Sequence, residues 1–220
     1  MSMLGVSEAA DRLGVSTRQV QHLVASGDLR SVARGFVDGS SVDRLIAVRR
    51  GGRARAWSEA TAWGAAALLS GMEATWIGES QRSRLRARLR QMSAAELVAR
   101  SRNRAVVQRY AGHPSAVGRV RALTLSTHLA ARRLGLADVN AVDAYVSEDG
   151  LDEVLRSHAL VRDASGAFTL RATTMAIDVV GELVSNGEVV AALDLAESLD
   201  VRERNVGTKA LQDALEAFRA

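Results

Sequence analysis

Several residue types are absent or scarce in this sequence of 220 residues, and each absence excludes a class of protein. The lack of cysteine excludes disulfides and thiolate metal sites, and it fits a reducing cytoplasm. Apolar runs stay far below the roughly 18 residues that a transmembrane helix needs, and the amino terminus lacks the pattern of a signal peptide. We therefore expect a soluble cytoplasmic protein with no membrane partner.

Motifs of catalysis and of metal binding are missing as well. The four histidines are scattered along the chain, and there is no phosphate-binding glycine loop, no G-x-S-x-G and no H-E-x-x-H. Asp194, Glu197 and Asp200 lie close in sequence, but no histidine accompanies them, so the favoured interpretation is solvated turn carboxylates. We predict no catalytic residue, no metal site and no cofactor, and hence a protein that is not an enzyme.

The charge that is present is unevenly distributed. Residues 1–110 contain 18 arginines and nine acidic residues, whereas residues 111–220 contain 11 basic and 16 acidic residues. The first half therefore suits a polyanionic partner, and the second half is expected to face away from that partner or to contact a basic one. With 47% hydrophobic residues, the chain can also bury a substantial core.

Two short helical periods follow each other near the amino terminus and are joined by a turn at residues 14–16. Ser7 is the predicted cap of the first helix, and Gly14 supplies the left-handed backbone that ends it. Val15 is expected to pack between the helices, and Ser16 or Thr17 to cap the second. The pattern is typical of a helix-turn-helix, whose second helix lies in the major groove of DNA.

The second helical period has two chemically different sides. Its apolar side comprises Val20, Leu23 and Val24. Its other side is polar and cationic, and comprises Arg18, Gln21, His22 and Ala25. Arginine can donate two hydrogen bonds to guanine and glutamine can pair with adenine, so this side has the chemistry of base recognition.

The next residues predict a hairpin and a third helix. Apolar Val32, Phe36 and Val37 flank the Ala-Arg-Gly turn at 33–35, which leaves Arg30 and Arg34 exposed to contact phosphates. Ser40 or Ser41 is expected to cap a helix whose faces alternate between apolar and basic residues, namely Val42, Leu45, Ile46 and Arg49.

Residues 4–49 resemble the winged helix-turn-helix of the excisionase and MerR-like group. The shared elements are E-A-A, L-G-V-S, the recognition helix, S-G-x-L and a wing, although the wing here, A-R-G-F-V-D-G-S, departs from the longer wing common in that group. The resemblance implies binding of double-stranded DNA through the recognition helix and the wing. The implied DNA-binding residues are Ser16, Thr17, Arg18, Gln19, Gln21, His22, Arg30 and Arg34.

The basic run R-R-G-G-R-A-R-A-W at 49–57 suggests a boundary, so we predict domains over 1–52, 53–112 and 113–220. The middle domain contains Trp57, Trp63 and Trp76, interpreted as a small core or a dimer contact.

Nine arginines at 80–110 predict two consecutive basic helices, the second opened by a capping box at 93–96. These arginines could form a solvated or internally paired face, contact phosphates, or bind an acidic protein.

The carboxyl-terminal residues predict a mixture of helices and strands. We expect a helix over Val117–Leu134 that stops at Gly135, and strand-like runs at 144–146, 159–162 and 168–171, the last two joined as a hairpin. A closing helix is predicted from about Arg202 to Phe218. The predicted fold is therefore mainly α, with an N-terminal winged helix-turn-helix, a helical middle segment and a small α+β C-terminal domain for dimerisation or partner binding.

The second half, with its strand hairpin, V-V-A-A-L-D-L run and closing helix, is similar to part of actinobacterial regulators and abortive-infection-type antitoxins. That similarity implies autorepression and neutralisation of a toxin protein.

Three functions stay open at this point: a transcriptional regulator, with an antitoxin as one form; an excisionase-like accessory or architectural protein; and a nucleic-acid enzyme targeted by its N-terminal domain. Because one such module covers little DNA, we expect a homodimer on two half-sites.

Overall fold

The computed structural model describes residues 3–50, 55–136, 141–198 and 200–220, so residues 51–54 of the predicted linker lie outside the described part. The fold is mainly helical with some β-sheet, as predicted. The helices are α1 (Val6–Leu13), α2 (Thr17–Ala25), α3 (Gly39–Arg50), α4 (Glu59–Leu69), α5 (Glu79–Gln91), α6 (Ala94–Ser101), α7 (Val117–Leu123), α8 (His128–Arg133), α9 (Glu148–Ser157), α10 (Ile177–Asn186), α11 (Val189–Ala196) and α12 (Val201–Arg219). The strands are β1 (Met3–Gly5), β2 (Ser31–Ala33), β3 (Phe36–Asp38), β4 (Val106–Ala111), β5 (Leu125–Ser126), β6 (Val142–Ser147), β7 (Val161–Arg162) and β8 (Phe168–Thr173). Within the described ranges, no helix has the length and apolar character needed to cross a membrane.

The first three helices and a small antiparallel sheet of order β1-β3-β2 share one hydrophobic core. Its buried members are Leu4, Ala9, Ala10, Leu13, Val20, Leu23, Leu29, Val37 and Val42. Two cap predictions are wrong here. Helix α1 begins at Val6, one residue before Ser7, and has no side-chain cap. At the start of α3, the Asp38 carboxylate accepts from the backbone N–H of Ser40, so an acidic residue before the helix takes the role assigned to serine.

The second sheet has five strands in the order β5-β6-β8-β4-β7. Strands β6 and β8 are parallel, and the other neighbours are antiparallel. Alternate residues of a strand point to opposite faces, so Ala144 joins the core under α7 and α9 while Tyr145 points to the other face. That other face meets the helical core of the protein.

The helical core combines residues 57–105 with residues 179–218, together with Tyr145 from the sheet. Trp63 is completely buried, its indole N–H donates to Thr173 Oγ1 at 3.1 Å, and its ring meets that of Tyr145 edge-on with centroids 5.2 Å apart. Trp57 is buried in the same core and Trp76 packs against it partly buried, so of the two interpretations of these tryptophans the structure shows the core packing. The predicted boundary at 112/113 therefore separates elements that pack around a common core.

Three sequence predictions in this region are wrong for one physical reason, namely pairing with distant strands. The helix expected over 117–134 is interrupted at Leu125–Ser126, because these residues pair with Tyr145 and Ala144. The end of the basic helical region is strand β4, which pairs with β8. Strands β7 and β8 do not form a hairpin, because β4 lies between them. The closing helix, by contrast, is confirmed as α12, with Leu211 and Leu215 buried.

Glu59, at the start of α4, ties that helix to the end of β8. Its carboxylate accepts from the hydroxyls of Thr173 and Thr174 and from the backbone N–H groups of Thr174, at 2.7 Å, and Met175, at 3.1 Å. Burial raises the pKa of Glu59, but these hydrogen bonds outweigh burial and hold the pKa below its usual value. The charged carboxylate is therefore the form that the fold favours.

We expect Glu59→Gln to lower the free energy of unfolding by about 1–2 kcal/mol at neutral pH, since hydrogen bonds to a charged acceptor are lost. Because the folded-state pKa is depressed, the contribution of Glu59 is present above the unfolded-state pKa and is lost as the pH falls through the folded-state pKa. Urea unfolding at several pH values should therefore show the two curves converging in acid. Glu182→Gln, at an exposed position of α10, is the control. A difference that stays constant down to acid pH would contradict this role.

Candidate nucleic-acid interface

The turn between α1 and α2 has the backbone that its sequence predicts. Gly14 adopts φ +66°, a left-handed conformation that favours glycine, and the N–H of Val15 donates to the carbonyl of Ala10 at 3.0 Å. Ser16 then caps α2, because its hydroxyl accepts from the backbone N–H of Gln19 at 3.2 Å. In the turn that joins the two helices, Gly14 therefore ends α1 and Ser16 caps the start of α2.

Helix α2 has one buried and one exposed side. Val20 is fully buried and Leu23 is 7% exposed, so both hold the helix against α1 and the small sheet. The polar residues of α2 are exposed, and they include Arg18, Gln21 and His22. Because residues 14–27 contain no acidic residue, the side chains on this surface have no carboxylate within their own segment. The exposed side of α2 is therefore cationic and rich in hydrogen-bond donors.

The end of α2 fixes the position of Arg30. Gly27 follows the helix with φ +81°, and the N–H of Leu29 donates to the carbonyl of Leu23 at 2.9 Å, which returns the chain under the helix. Leu29 is buried, and the backbone N–H of Arg30 donates to Ser41 Oγ at 3.2 Å. The Arg30 side chain is exposed beside this anchored backbone.

The hairpin of β2 and β3 has Arg34 at its tip. Arg34 and Gly35 form the two-residue loop, and Gly35 adopts φ +82°. The carbonyl of Gly35 accepts from the N–H of Val6 at 3.0 Å, so the tip is attached to the start of α1. On the strands, Val37 is buried, whereas Phe36 is 46% exposed and Val32 is 48% exposed. The tip thus presents a cation next to exposed apolar side chains.

All of the residues predicted to contact DNA are exposed in the described structure. Six belong to α2 or its cap, one follows α2, and one lies at the hairpin tip: Ser16, Thr17, Arg18, Gln19, Gln21, His22, Arg30 and Arg34. Among them, Ser16 and Gln19 also share the capping hydrogen bond. The fold therefore leaves these side chains available and buries the apolar residues between them.

A second polar group, which the sequence analysis missed, is buried in the other part of the molecule. Arg104 is 1% exposed, and its guanidinium donates to Asp194 at 2.6 Å, to Glu197 at 2.8 Å and to the hydroxyl of Tyr145 at 2.9 Å. The Tyr145 hydroxyl donates to the same Asp194 oxygen at 2.6 Å. Burial lowers the pKa of Arg104, but Glu197, Tyr145 and Asp194 outweigh burial and keep it well above its usual value.

Arg171, on the central strand β8, extends this group to the neighbouring strand β6. Its Nε lies 2.6 Å from the Asp143 carboxylate and 3.4 Å from that of Asp194, and Nη1 lies 3.5 Å from Glu197. We call Arg104, Asp143, Tyr145, Arg171, Asp194 and Glu197 the buried charge cluster. It joins β6, β8 and α11 to the turn after α6, and its charges are largely paired with one another.

The interpretation of Asp194 and Glu197 as solvated turn carboxylates is therefore wrong. Asp194 is 3% exposed and lies inside α11, and Glu197 directly follows that helix. Only Asp200 behaves as predicted, because it is exposed and caps α12. The signal that could have predicted this burial is the position of Asp194 within the apolar run V-V-A-A-L-D-L-A. A carboxylate in such a run is expected to be buried and therefore to need a cation as its partner.

Nothing in the described ranges resembles a metal centre, because no three His, Asp or Glu side chains lie close enough together to hold an ion. Two open grooves lie on the surface of the described structure. One, of about 510 Å³, runs beside β5 and α9 and has Leu123 and Ile177 among its lining residues. Another, of about 580 Å³, lies beside the turn before α11.

Comparison of the chain with known protein families, with characterised proteins and with solved structures found no match.

Proposed function

We propose that this protein is a sequence-specific DNA-binding transcriptional regulator. In this proposal residues 3–50 form a winged helix-turn-helix, α2 is the recognition helix in the major groove, and the β2–β3 hairpin is the wing on the phosphate backbone. The observation on which the proposal depends is the division of α2 into a buried apolar side and an exposed side with Arg18, Gln21 and His22.

The chemistry of the exposed side supports base recognition. The planar guanidinium of Arg18 can donate two hydrogen bonds to guanine, and the Gln21 amide can both donate to and accept from adenine. Arg30 and Arg34 are placed outside the helix, where a cation can contact phosphates without reading the sequence. The amino-terminal position of Arg18 in α2 agrees with the part of a recognition helix that reaches base edges.

A homodimer is part of the proposal. A helix of nine residues reaches only a few base pairs, and specific regulators of this kind gain affinity by binding two half-sites separated by about one turn of DNA. The preferred DNA sequence is therefore expected to have two-fold symmetry. As a regulator, the bound dimer would act by occupying promoter DNA.

The proposal is tested by selecting preferred duplexes from a random-sequence library with the full-length protein. Arg18→Ala is expected to weaken binding to the selected duplex by about 1–3 kcal/mol and to relax the preference at one base position in each half-site. Arg34→Ala is expected to weaken selected and unrelated duplexes equally and to reduce the salt dependence by about one unit of slope. Fluorescence anisotropy over a range of salt concentrations measures both effects.

The matched control is Arg12→Ala on α1, because the Arg12 guanidinium lies 3.3 Å from the Asp43 carboxylate and Arg12 is not among the predicted DNA-binding residues. It should leave the base preferences unchanged. If Arg18→Ala retains both the affinity and the sequence preference of the original protein, α2 is not the recognition helix. If no sequence is enriched by the selection, the protein is not a sequence-specific regulator.

A further inference from the structure

Helix α5 has an outward surface whose composition differs from that of its other sides. The residues that share it lie at helical spacing and are all exposed: Ser80, Arg84, Ala87, Arg88 and Gln91. Leu85 and Leu89, on the inner side, are buried in the helical core. The outward surface thus consists of two arginines among small or uncharged side chains, with no carboxylate on it. We call this set of five residues the α5 basic face.

Two other arginines of the same helix are engaged within the molecule. Glu73 lies 3.7 Å from Nε of Arg82 and 3.1 Å from Nη2 of Arg86. These two guanidinium groups are part of an internal ion-pair arrangement and are only partly exposed. Arg84 and Arg88, by contrast, have no acidic residue three or four positions away along the helix. The helix therefore contains two arginines that share the carboxylate of Glu73 and two, Arg84 and Arg88, that have no carboxylate at helical spacing.

The placement of Arg84 and Arg88 has a cost to the isolated helix. Like charges at positions i and i+4 lie about 5–6 Å apart at Cβ and destabilise a helix by about 0.2–0.5 kcal/mol. An acidic residue at position 80, one turn before Arg84, or at position 91, one turn after Arg88, would offset this repulsion. The sequence has serine and glutamine at these positions. An external polyanion would neutralise both charges at once.

We propose that the α5 basic face binds the phosphate backbone of the same DNA duplex that α2 recognises. The proposal rests on the proposed function and extends its footprint to a second, sequence-independent contact. Charge complementarity supports it, because the face presents two guanidinium groups and each can donate two hydrogen bonds to a phosphate. The small side chains of Ser80 and Ala87 leave room for the sugar-phosphate chain, and the serine hydroxyl is a further donor.

The test compares two double variants of the full-length protein. Arg84→Gln/Arg88→Gln removes the exposed pair, and Arg82→Gln/Arg86→Gln removes the same net charge from the same helix where the arginines are paired with Glu73. Binding is measured by anisotropy with a 40-base-pair duplex containing the selected site and with one of unrelated sequence, over a range of salt concentrations. Thermal unfolding establishes that each variant is folded.

We expect Arg84→Gln/Arg88→Gln to weaken both duplexes by the same factor and to lower the slope of log affinity against log salt by about 1.8, because two phosphate contacts are lost. The base preference should not change. Arg82→Gln/Arg86→Gln should retain the original slope, because these arginines pair with Glu73 and are not part of the α5 basic face. Arg84→Lys/Arg88→Lys should retain most of the slope, because an ammonium group also neutralises a phosphate.

Two results would overturn the inference while leaving the proposed function intact. Either both glutamine variants lower the slope equally, which indicates an effect of net charge, or neither changes it while Arg18→Ala still relaxes the base preference. If the Arg82/Arg86 variant unfolds, Arg156→Gln/Arg202→Gln, which removes two exposed arginines from other helices, replaces it as the control for net charge. Absence of any DNA binding by the unaltered protein would refute the proposed function and this inference together.

Discussion

Arg104→Met is expected to lower the free energy of unfolding by about 3–5 kcal/mol, because it removes one buried cation and leaves Asp194 and Glu197 with the longer contacts to Arg171, at 3.4 and 3.5 Å. Arg104 is 1% exposed, and Asp194, its partner at 2.6 Å, is 3% exposed. Methionine is similar in length but offers no hydrogen bond to Asp194, Glu197 or Tyr145. Urea unfolding followed by tryptophan fluorescence measures the loss, since Trp63 lies against Tyr145.

An exposed ion pair provides the control for Arg104→Met. Arg156 lies 3.1 Å from Glu153 on α9, and both side chains are at least 70% exposed. Arg156→Met is therefore expected to change stability by at most about 0.5 kcal/mol. Adding Asp194→Asn to Arg104→Met should restore part of the lost free energy of unfolding, because a neutral amide then replaces the buried carboxylate that has lost Arg104. A loss below about 1 kcal/mol for Arg104→Met would contradict a structural role of the buried charge cluster.

Gly207→Ala is expected to destabilise the protein by about 1–3 kcal/mol, and Gly207→Val by more, because α12 packs directly against the backbone of α11. A Cβ atom at Gly207 would lie 2.5 Å from the nitrogen of Ala196 and 2.6 Å from the carbonyl oxygen of Ala192. These atoms belong to the helix backbone, so they cannot move without displacing α11. Since α11 also holds Asp194, the variant should disturb the buried charge cluster as well.

Gly118→Ala, on α7, is the matched control because a Cβ atom there meets nothing within 4 Å. Alanine has a higher helix propensity than glycine and reduces the entropy of the unfolded chain, so this variant should gain up to about 1 kcal/mol. Thermal and urea unfolding of the two variants measure the contrast. Equal effects of alanine at both positions would show that α11 and α12 are not in the close contact described here.

The N-terminal elements could be predicted from the sequence because their determinants are local. Gly14, Ser16 and Gly27 specify where α1 and α2 end or begin, and each acts through a hydrogen bond or a backbone angle within a few residues. The alternation of buried Val20 and exposed Gln21 follows from helical periodicity alone. The errors at Ser7 and at Ser40 or Ser41 are shifts of a few residues: the cap position of α1 is Gly5, which has no capping side chain, and the polar residue before α3 that accepts the hydrogen bond is Asp38.

The predictions after α6 failed where strands pair over long distances. Val106 and Leu125 lie in segments with a helix-like composition around them, but their backbones pair with β8 and β6, which are far away in sequence. No local pattern indicates that β4 separates β7 from β8. For the same reason the sequence could not show that Arg104 meets Asp194, which lies 90 residues further along the chain.

The sequence by itself determined the amphipathic helices, the turn between α1 and α2 and the exposed cationic side of α2, because these depend on interactions between residues close together in the chain. Only the tertiary structure decided the strand order of the second sheet, the partners of Arg104 and Arg171, and the distinction between paired and exposed arginines on α5. These features arise from contacts between distant segments, and the free energy of burying a charge or pairing a strand depends on which partner the whole fold brings to it.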